Sequence, residues 1–475
     1  MSTATLTTFS AYILCMLIIG FVASRHTNNL GDYLLGGRRL GPTVTALSAG
    51  ASDMSGWLLL GLPGALYLGG LVESWIVIGL VVGAFLNWTF VAKPLRIATE
   101  ATGSLTLPNY FAARFQDKTR LLRLISAGIV LLFFTFYAAS GMVAGAILLE
   151  SSFGLPYLTA LLTGACIIVA YTTIGGFLAV SWTDCVQGTL MLLALVLLPI
   201  MMVMELGGID ATLSRIDASH LAMVETVSVI GILSLLAWGL GYFGQPHILV
   251  RFMAIGSADR VDRARTIGMS WMILSSMGAV GVGLAGIAYL DAMGQPLGAK
   301  DSEHVFIAAT QIIFNPWVAG VLLAGILAAV MSTIDSQLLV SSSALSEDFY
   351  KSWLRPEAGD RELMLVGRAI VILISVIAVL IALDPESKVI NLVSYAWAGL
   401  GASFGPVVLM SLYYPKTNQW GALAGMLSGA VTVVVWKGLS GGIFDVYELL
   451  PAFLISLAAI YLVSNATGSP SSRHR

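Results

Sequence analysis

Apolar residues fall along this chain in long unbroken blocks, not in the one-faced or alternating patterns of a water-soluble fold. The blocks lie near 6–23, 44–67, 74–92, 124–148, 156–176, 186–204, 227–243, 267–289, 317–345, 364–383, 389–412, 421–436 and 449–464. A helix needs about 20 apolar residues to cross about 30 Å of hydrocarbon. The pattern therefore predicts an all-α polytopic membrane protein with about 13 transmembrane helices. The first block has no basic stretch before it and reads as a retained span, not a cleaved signal peptide. The polar connections, the longest near 93–123, 205–226, 243–266, 290–316 and 346–363, are too short for a soluble domain. One holds "SLTLPNYFAARFQDKTR", which reads as a short amphipathic helix at the inner face. The tail after Ser464 is small and polar, with the look of a disordered end.

Composition sharpens this. Hydrophobic residues make up 57% and charged residues 11% of the 475, against about 45–50% and about 25% in soluble domains. Mean hydropathy is +0.88. So few charges cannot cover a water-facing surface, which excludes a soluble enzyme, a nucleic-acid binder with a basic face and a disordered chain. No GxxxxGK[ST] loop is present, so ATP held by this chain does not drive it. Gly239, Gly241 and Gly244 match GxGxxG, as do Gly281, Gly283 and Gly286, but both sets fall in or at apolar blocks and read as close helix packing. Cys15, Cys166 and Cys185 read as buried small hydrophobes. Nothing points to an organic cofactor or an obligatory protein partner; the lipid bilayer is the one evident surrounding.

Orientation follows from the basic residues. With the N-terminus outside and alternate loops assigned inward, only Arg215, Lys300, Lys388 and Lys437 fall outside, and the other 20 of 24 Lys and Arg fall inside. One missed helix would invert every later loop, so this asymmetry favours an odd number of spans and a cytoplasmic C-terminus.

Polar residues inside membrane helices are costly and commonly functional. The second span carries Asp53 among Ala49, Gly50, Ala51, Ser52, Ser55 and Gly56. Such a stretch can unwind and free backbone carbonyls for a hard cation, which prefers oxygen ligands; alternatively Asp53 only hydrogen-bonds a neighbouring helix. In the ninth span Ala329, Ser332 and Ser336 share a helix face beside Thr333 and Asp335. The serines at 341–343 read as back-bonding to their own helix. In the seventh span Trp238 and Tyr242 stand at i and i+4, which predicts stacking on one face before glycines and Pro246 break the helix. They could equally be interfacial anchors, as could Tyr137 of the fourth span. Asp184 opens the sixth span and could simply cap it.

Five stretches together resemble the sodium/solute symporter family over nearly the whole chain: "LGGRRLGPTVTALSAGASDMSGWLLLGLPGALYL" (35–68), "TTIGGFLAVSWTD" (172–184), "WGLGYFGQPHILVRFMA" (238–254), "AAVMST" (328–333) and "VSYAWAGLGASFGPVVL" (393–409). The resemblance implies a LeuT-type core of two five-helix inverted repeats. These would be 44–204 and 227–412, with a first helix and loop at 1–43, an external loop at 205–226, and two peripheral helices and a tail at 413–475. It implies no catalytic chemistry but sodium-coupled import of a small solute across the cell inner membrane by alternating access. L-proline is the expected solute; pantothenate, another amino acid or a monocarboxylate are alternatives. Carried over by position, sodium would meet the carbonyls of Ala51, Met54 and Ala329 and the hydroxyls of Ser332 and Thr333, with Asp53 in support. The solute would lie among Ser55, Gly56, Trp57, Tyr137, Trp238 and Tyr242. Arg38 resembles a residue near the inner gate that affects coupling. Asp335 and Ser336 stand where some relatives hold a second sodium, and with Asp184 they could form a second cation site.

Overall fold

The computed structural model describes residues 3–26, 29–174, 176–225 and 227–468. Among the described residues every regular element is helical, and the only bridge pairs Leu40 with Ile255. The principal helices are α1 (Thr3–Ser24), α2 (Pro42–Met54), α3 (Leu62–Gly69), α4 (74–101), α5 (Leu121–Phe153), α6 (Tyr157–Ile174), α7 (Phe177–Glu205), α8 (Val229–Gly244), α9 (Pro246–Ala254), α10 (Val261–Ala292), α11 (Pro316–Ser343), α12 (Asp360–Ile381), α13 (Val389–Tyr413), α14 (Gln419–Lys437) and α15 (Leu449–Thr467).

Among the described residues, ten helical runs are long and apolar enough to cross a membrane, or eleven when bent α8–α9 is taken as one. The expected thirteen differ for two reasons. A 45-residue run, Trp57–Ala101, holds two of the expected spans, and Gly70, at φ +78°, turns the chain between them. The apolar part of α6, Tyr157–Ala170, is shorter than a full span. The amphipathic segment folds as a helix over Leu107–Arg114, its N-cap Thr106 accepting from the Asn109 N–H. Residues 469–475 of the expected disordered tail lie outside the described residues.

Two of the spans break where the sequence places small residues and proline. α2 begins at Pro42, a favoured first helical position, and ends at Ser55, whose φ of +48° is rare for a non-glycine residue. A wide π-type turn, Trp57–Gly61, then leads into α3. The last eight residues of α8, Ala237–Gly244, tighten to 3-10 geometry, and the axis bends by 45° into α9. Pro246 supplies no N–H to continue the ladder.

The broken pairs α2–α3 and α8–α9 pack with α4 and α10 into one bundle, and α5, α11 and α13 form the wall facing it. α7 lies between α2, α10 and α11, and α1 lies against α7 and α11. Glycine permits the closest approach. A Cβ on Gly241 would sit 1.9 Å from the Trp397 indole nitrogen, so α8 and α13 meet backbone against ring. This is the packing role expected of the Gly239–Gly244 set.

Cys15 and Cys166 are exposed and Cys185 is half-exposed, which corrects the expectation that all three are buried. The outward face of a membrane helix meets hydrocarbon, so an apolar thiol has no reason to turn inward.

Candidate ion and solute site at two broken helices

The break after Met54 brings α2 against α11. Ser332 Oγ donates to the Ala51 carbonyl at 2.8 Å and to the Ala329 carbonyl at 3.1 Å. Thr333 Oγ1 donates to the same Ala51 carbonyl at 3.4 Å. Four of the five oxygens expected around sodium thus lie together, from residues separated by up to 282 positions. Met54 is buried in the same turn, but its carbonyl receives no hydrogen bond from either hydroxyl.

Asp53 faces the other broken span. Its carboxylate accepts the Tyr242 hydroxyl at 2.5 Å, and its backbone carbonyl accepts the Tyr137 hydroxyl at 3.0 Å. The plain alternative, a hydrogen bond to a neighbouring helix, is therefore present, and it joins the two breaks to each other. A narrow hollow opens beside them, walled by Asp53, Trp57, Tyr137, Trp238, Tyr242 and Trp397. The Trp57 indole N–H is buried there without a partner. Ser55 Oγ accepts the Trp57 backbone N–H at 3.1 Å, which holds the turn. Gly56 sits where a Cβ would come within 2.8 Å of Ala144 on α5, so α2 and α5 close tightly.

Trp238 and Tyr242 line this hollow without stacking on each other. Over 3-10 backbone, residues four apart no longer share a face. Trp238 instead stacks between Trp57, 5.6 Å between ring centres, and Tyr447, at 5.3 Å. Tyr242 meets Trp397 edge-on at 5.1 Å, and the Trp397 indole N–H donates to the Trp238 carbonyl at 2.7 Å.

A second polar cluster lies below α2. Asp184 is inside α7, whose N-cap is Gly176, so it does not cap the helix. It accepts Ser48 Oγ at 2.6 Å and pairs with the Arg251 guanidinium at 3.2 Å, both side chains fully buried. Arg251 also donates to Ser48 Oγ at 3.0 Å, to the His247 carbonyl at 2.7 Å and to Ser336 Oγ at 2.5 Å. Ser336 Oγ returns to the Ser332 carbonyl at 2.8 Å, linking this cluster to the α2–α11 oxygens. Asp335 is fully buried beside it, with one carboxylate oxygen lacking a partner. At the ends of α9 and α4, Arg38 donates to the carbonyls of Met253, Thr99 and Ser104 at 2.7–2.9 Å. It ties the end of α9 to the end of α4.

Residues 33–429 match the model of the sodium:solute symporter family. The chain belongs to that family. Along its sequence the symporter is 54% identical over 476 residues to the sodium/proline symporter of Salmonella typhimurium, covering 99% of this chain and 94% of the relative. It is 53% identical over 461 residues to the high-affinity proline transporter of Bacillus subtilis, covering 96% and 97%. In shape it matches the outward-open, substrate-bound structure of a Na+-coupled sialic acid symporter with a TM-score of 0.81. The identity there is 17%, over 98% of each chain, and the likeness shows the LeuT-type fold.

Sequence reasoning missed several residues of the symporter's interior. Arg251 was counted among the inner-loop charges, but it is fully buried in α9. Its presence in the apolar run "PHILVRFM" was the available signal. Trp397 and Tyr447 complete the aromatic wall from α13 and the start of α15, and nothing local marks them. Asn87, buried in α4, binds the Tyr242 carbonyl through Nδ2 at 3.0 Å.

Proposed function

We propose that this protein imports L-proline with sodium across the bacterial inner membrane by alternating access. It crosses thirteen times, with the N-terminus outside and the C-terminus in the cytoplasm. Counting each broken pair as one span, Trp57–Ala101 as completing two and α6 as one supports that number. So does the lopsided placement of Lys and Arg. Repeats at 44–204 and 227–412 would each open on one of the two breaks, the arrangement in which midplane sites form.

The observation that carries the reading is the meeting of the Ala51 and Ala329 carbonyls with the Ser332 and Thr333 hydroxyls at the α2–α11 junction. Near-full-length similarity to proline carriers supplies the solute. On sodium binding the two hydroxyl protons would turn away and leave lone pairs for the ion, with Met54 adding its carbonyl and Asp53 the nearby charge. That draws α2 onto α11 and fixes the turn at Ser55–Trp57. The proline ring would pack on Trp57, Trp238 and Tyr242, beside Tyr137. Its carboxylate would take the orphan Trp57 N–H and the free backbone around Ser55 and Gly56. Arg38 would couple this site to the inner closure. At Asp184, Asp335 and Ser336 the Arg251 guanidinium acts as the resident cation, which favours one sodium per solute. Each ligand then raises affinity for the other by the same factor. One charge moving through 100 mV supplies about 2.3 kcal/mol, and at about 1.4 kcal/mol per tenfold this supports roughly fifty-fold accumulation.

The test is uptake of labelled proline by reconstituted vesicles under an imposed sodium gradient. Accumulation should disappear with potassium replacement or a sodium ionophore, and unlabelled proline should compete better than pantothenate or monocarboxylates. Equal accumulation without sodium would end the reading, and stronger competition by another solute would reassign the substrate.

A further inference from the structure

A second hollow, a narrow cavity of about 20 Å³ with room for one water or a bare ion, lies within the bundle itself, between α2, α4, α8–α9 and α10. Asp53 and Tyr242 wall both this hollow and the solute hollow, so their 2.5 Å hydrogen bond stands between the two spaces. Most of the inner lining is apolar, including Trp88, Trp271 and Met272. The exception opposite Asp53 is Asn87.

Asn87 begins a π-type turn, Asn87–Ala92, inside α4. Such wide turns recur at functional positions. The side chain is 1% exposed. Its orientation is set by chemistry, because only the amide nitrogen can donate to the Tyr242 carbonyl. The amide oxygen is then left buried with no partner. An orphan acceptor of this kind is costly to bury and calls for an occupant that supplies positive charge or a proton. Three neighbouring donors are already committed: Tyr242 O–H to Asp53, Asn87 Nδ2 to the Tyr242 carbonyl, and the Trp271 indole N–H to the Gly188 carbonyl at 2.8 Å; the Trp88 indole N–H also lines the space, beside Gly268. The space thus offers oxygen lone pairs and one carboxylate, the preference of a hard cation.

We propose that this hollow is a transient alkali-cation station, with Asp53 supplying charge and Asn87 Oδ1 a neutral ligand, separate from the Ala51–Ser332–Thr333 oxygens. The inference rests on the sodium-symport reading and adds a staging point to it. A cation here competes with Tyr242 for the Asp53 carboxylate. Loading the station therefore releases the Tyr242 hydroxyl toward the solute hollow before the ion moves to the α2–α11 junction.

The test compares Asn87→Ala and Asn87→Asp in the full-length reconstituted protein. Sodium activation of proline uptake and proline-free ²²Na⁺ binding are read together. Neither replacement can donate to the Tyr242 carbonyl, so a purely structural role predicts lower stability in both with the sodium requirement of the folded protein equal in the two variants. The station predicts that N87A raises the half-saturating sodium concentration about tenfold, the usual order for losing a polar contact to a charge, whereas N87D leaves it unchanged or lowers it. Equal damage, no change in either, or a worse N87D overturns the proposal. If neither variant folds, Gly268→Ala decides. Its new methyl enters the hollow 3.5 Å from Trp88, ordinary contact, and should raise the sodium requirement; an unchanged requirement refutes the station. If the unmodified protein itself transports proline without sodium, the symport reading has failed and the station with it. Sodium-dependent transport with unresponsive variants removes the station alone.

Discussion

Asp53 is 7% exposed, and the one side-chain donor on its carboxylate is the Tyr242 hydroxyl. A carboxylate so placed is expensive to hold unless charge is the purpose. Asp53→Asn keeps an acceptor for Tyr242 and removes the charge, so the fold should survive while sodium recruitment suffers. The half-saturating sodium concentration for proline uptake should rise by more than about tenfold, the order expected when a contact to a full charge is lost, with the melting temperature nearly unchanged. Normal sodium activation of the purified mutant would show that the charge has no part in ion binding. Asp53 and its small neighbours were legible in the sequence because a lone acid in an apolar block is conspicuous. Arg251 was not, because an arginine near a helix end looks like a loop charge until its partners are seen. Those partners lie on α2, α7 and α11 as well as on α9 itself.

Among elements, the junction of α2 with α11 should depend on its two hydroxyls. Replacing Ser332 and Thr333 together by Ala removes both side-chain donors to the Ala51 carbonyl. Sodium affinity measured by ²²Na⁺ binding should drop sharply, while circular dichroism stays helical; unaltered binding would take α11 out of the ion site. At the start of α13 a different contact joins elements. The Glu303 carboxylate accepts the Val389 and Ile390 N–H groups at 3.0 and 3.2 Å, capping the first turn of α13. Gly64 of α3 packs on the Ser302–Glu303 backbone, where a Cβ would come within 3.0 Å. Burial pushes this carboxyl above its usual range despite those two donors. Glu303→Ala strands both N–H groups, at about 1–3 kcal/mol. A lower melting temperature with an unchanged sodium requirement for uptake is the expected pair of results. The helix breaks were readable in advance, since Pro246 and the glycine and serine runs act on their own backbone. The parting of Trp238 from Tyr242 was not, because a change from 3.6 to 3 residues per turn moves the second ring to another face.

For the whole molecule, the surface around the helices is apolar, with Leu14, Ile18, Leu193 and Leu462 among many large side chains turned outward. Cys15 and Cys166 share that outer face. In intact vesicles a charged thiol reagent should label neither, since it cannot enter hydrocarbon, whereas denaturing detergent should expose both. Rapid labelling in vesicles would place water against α1 or α6 and require a different packing. The molecule also divides its polar interior unevenly. The α2–α11 oxygens, the Arg251 cluster and the Asn87 hollow all border α2, which makes that helix the common wall of these three polar groups.

The amino-acid order alone determined that this chain lives in lipid, where its helices lie, where two of them break, and which stretches mark it as a sodium:solute symporter. Those are local matters: hydrocarbon demands about 20 apolar residues per crossing, and small residues or proline act on the backbone that carries them. The tertiary structure decided which oxygens meet, that Arg251 answers Asp184, that Trp397 and Tyr447 close the aromatic wall, and that Asn87 is left with an unpaired acceptor. Each joins residues far apart in the chain, and which side chain finds which is set by helix packing in three dimensions, not by spacing along the chain.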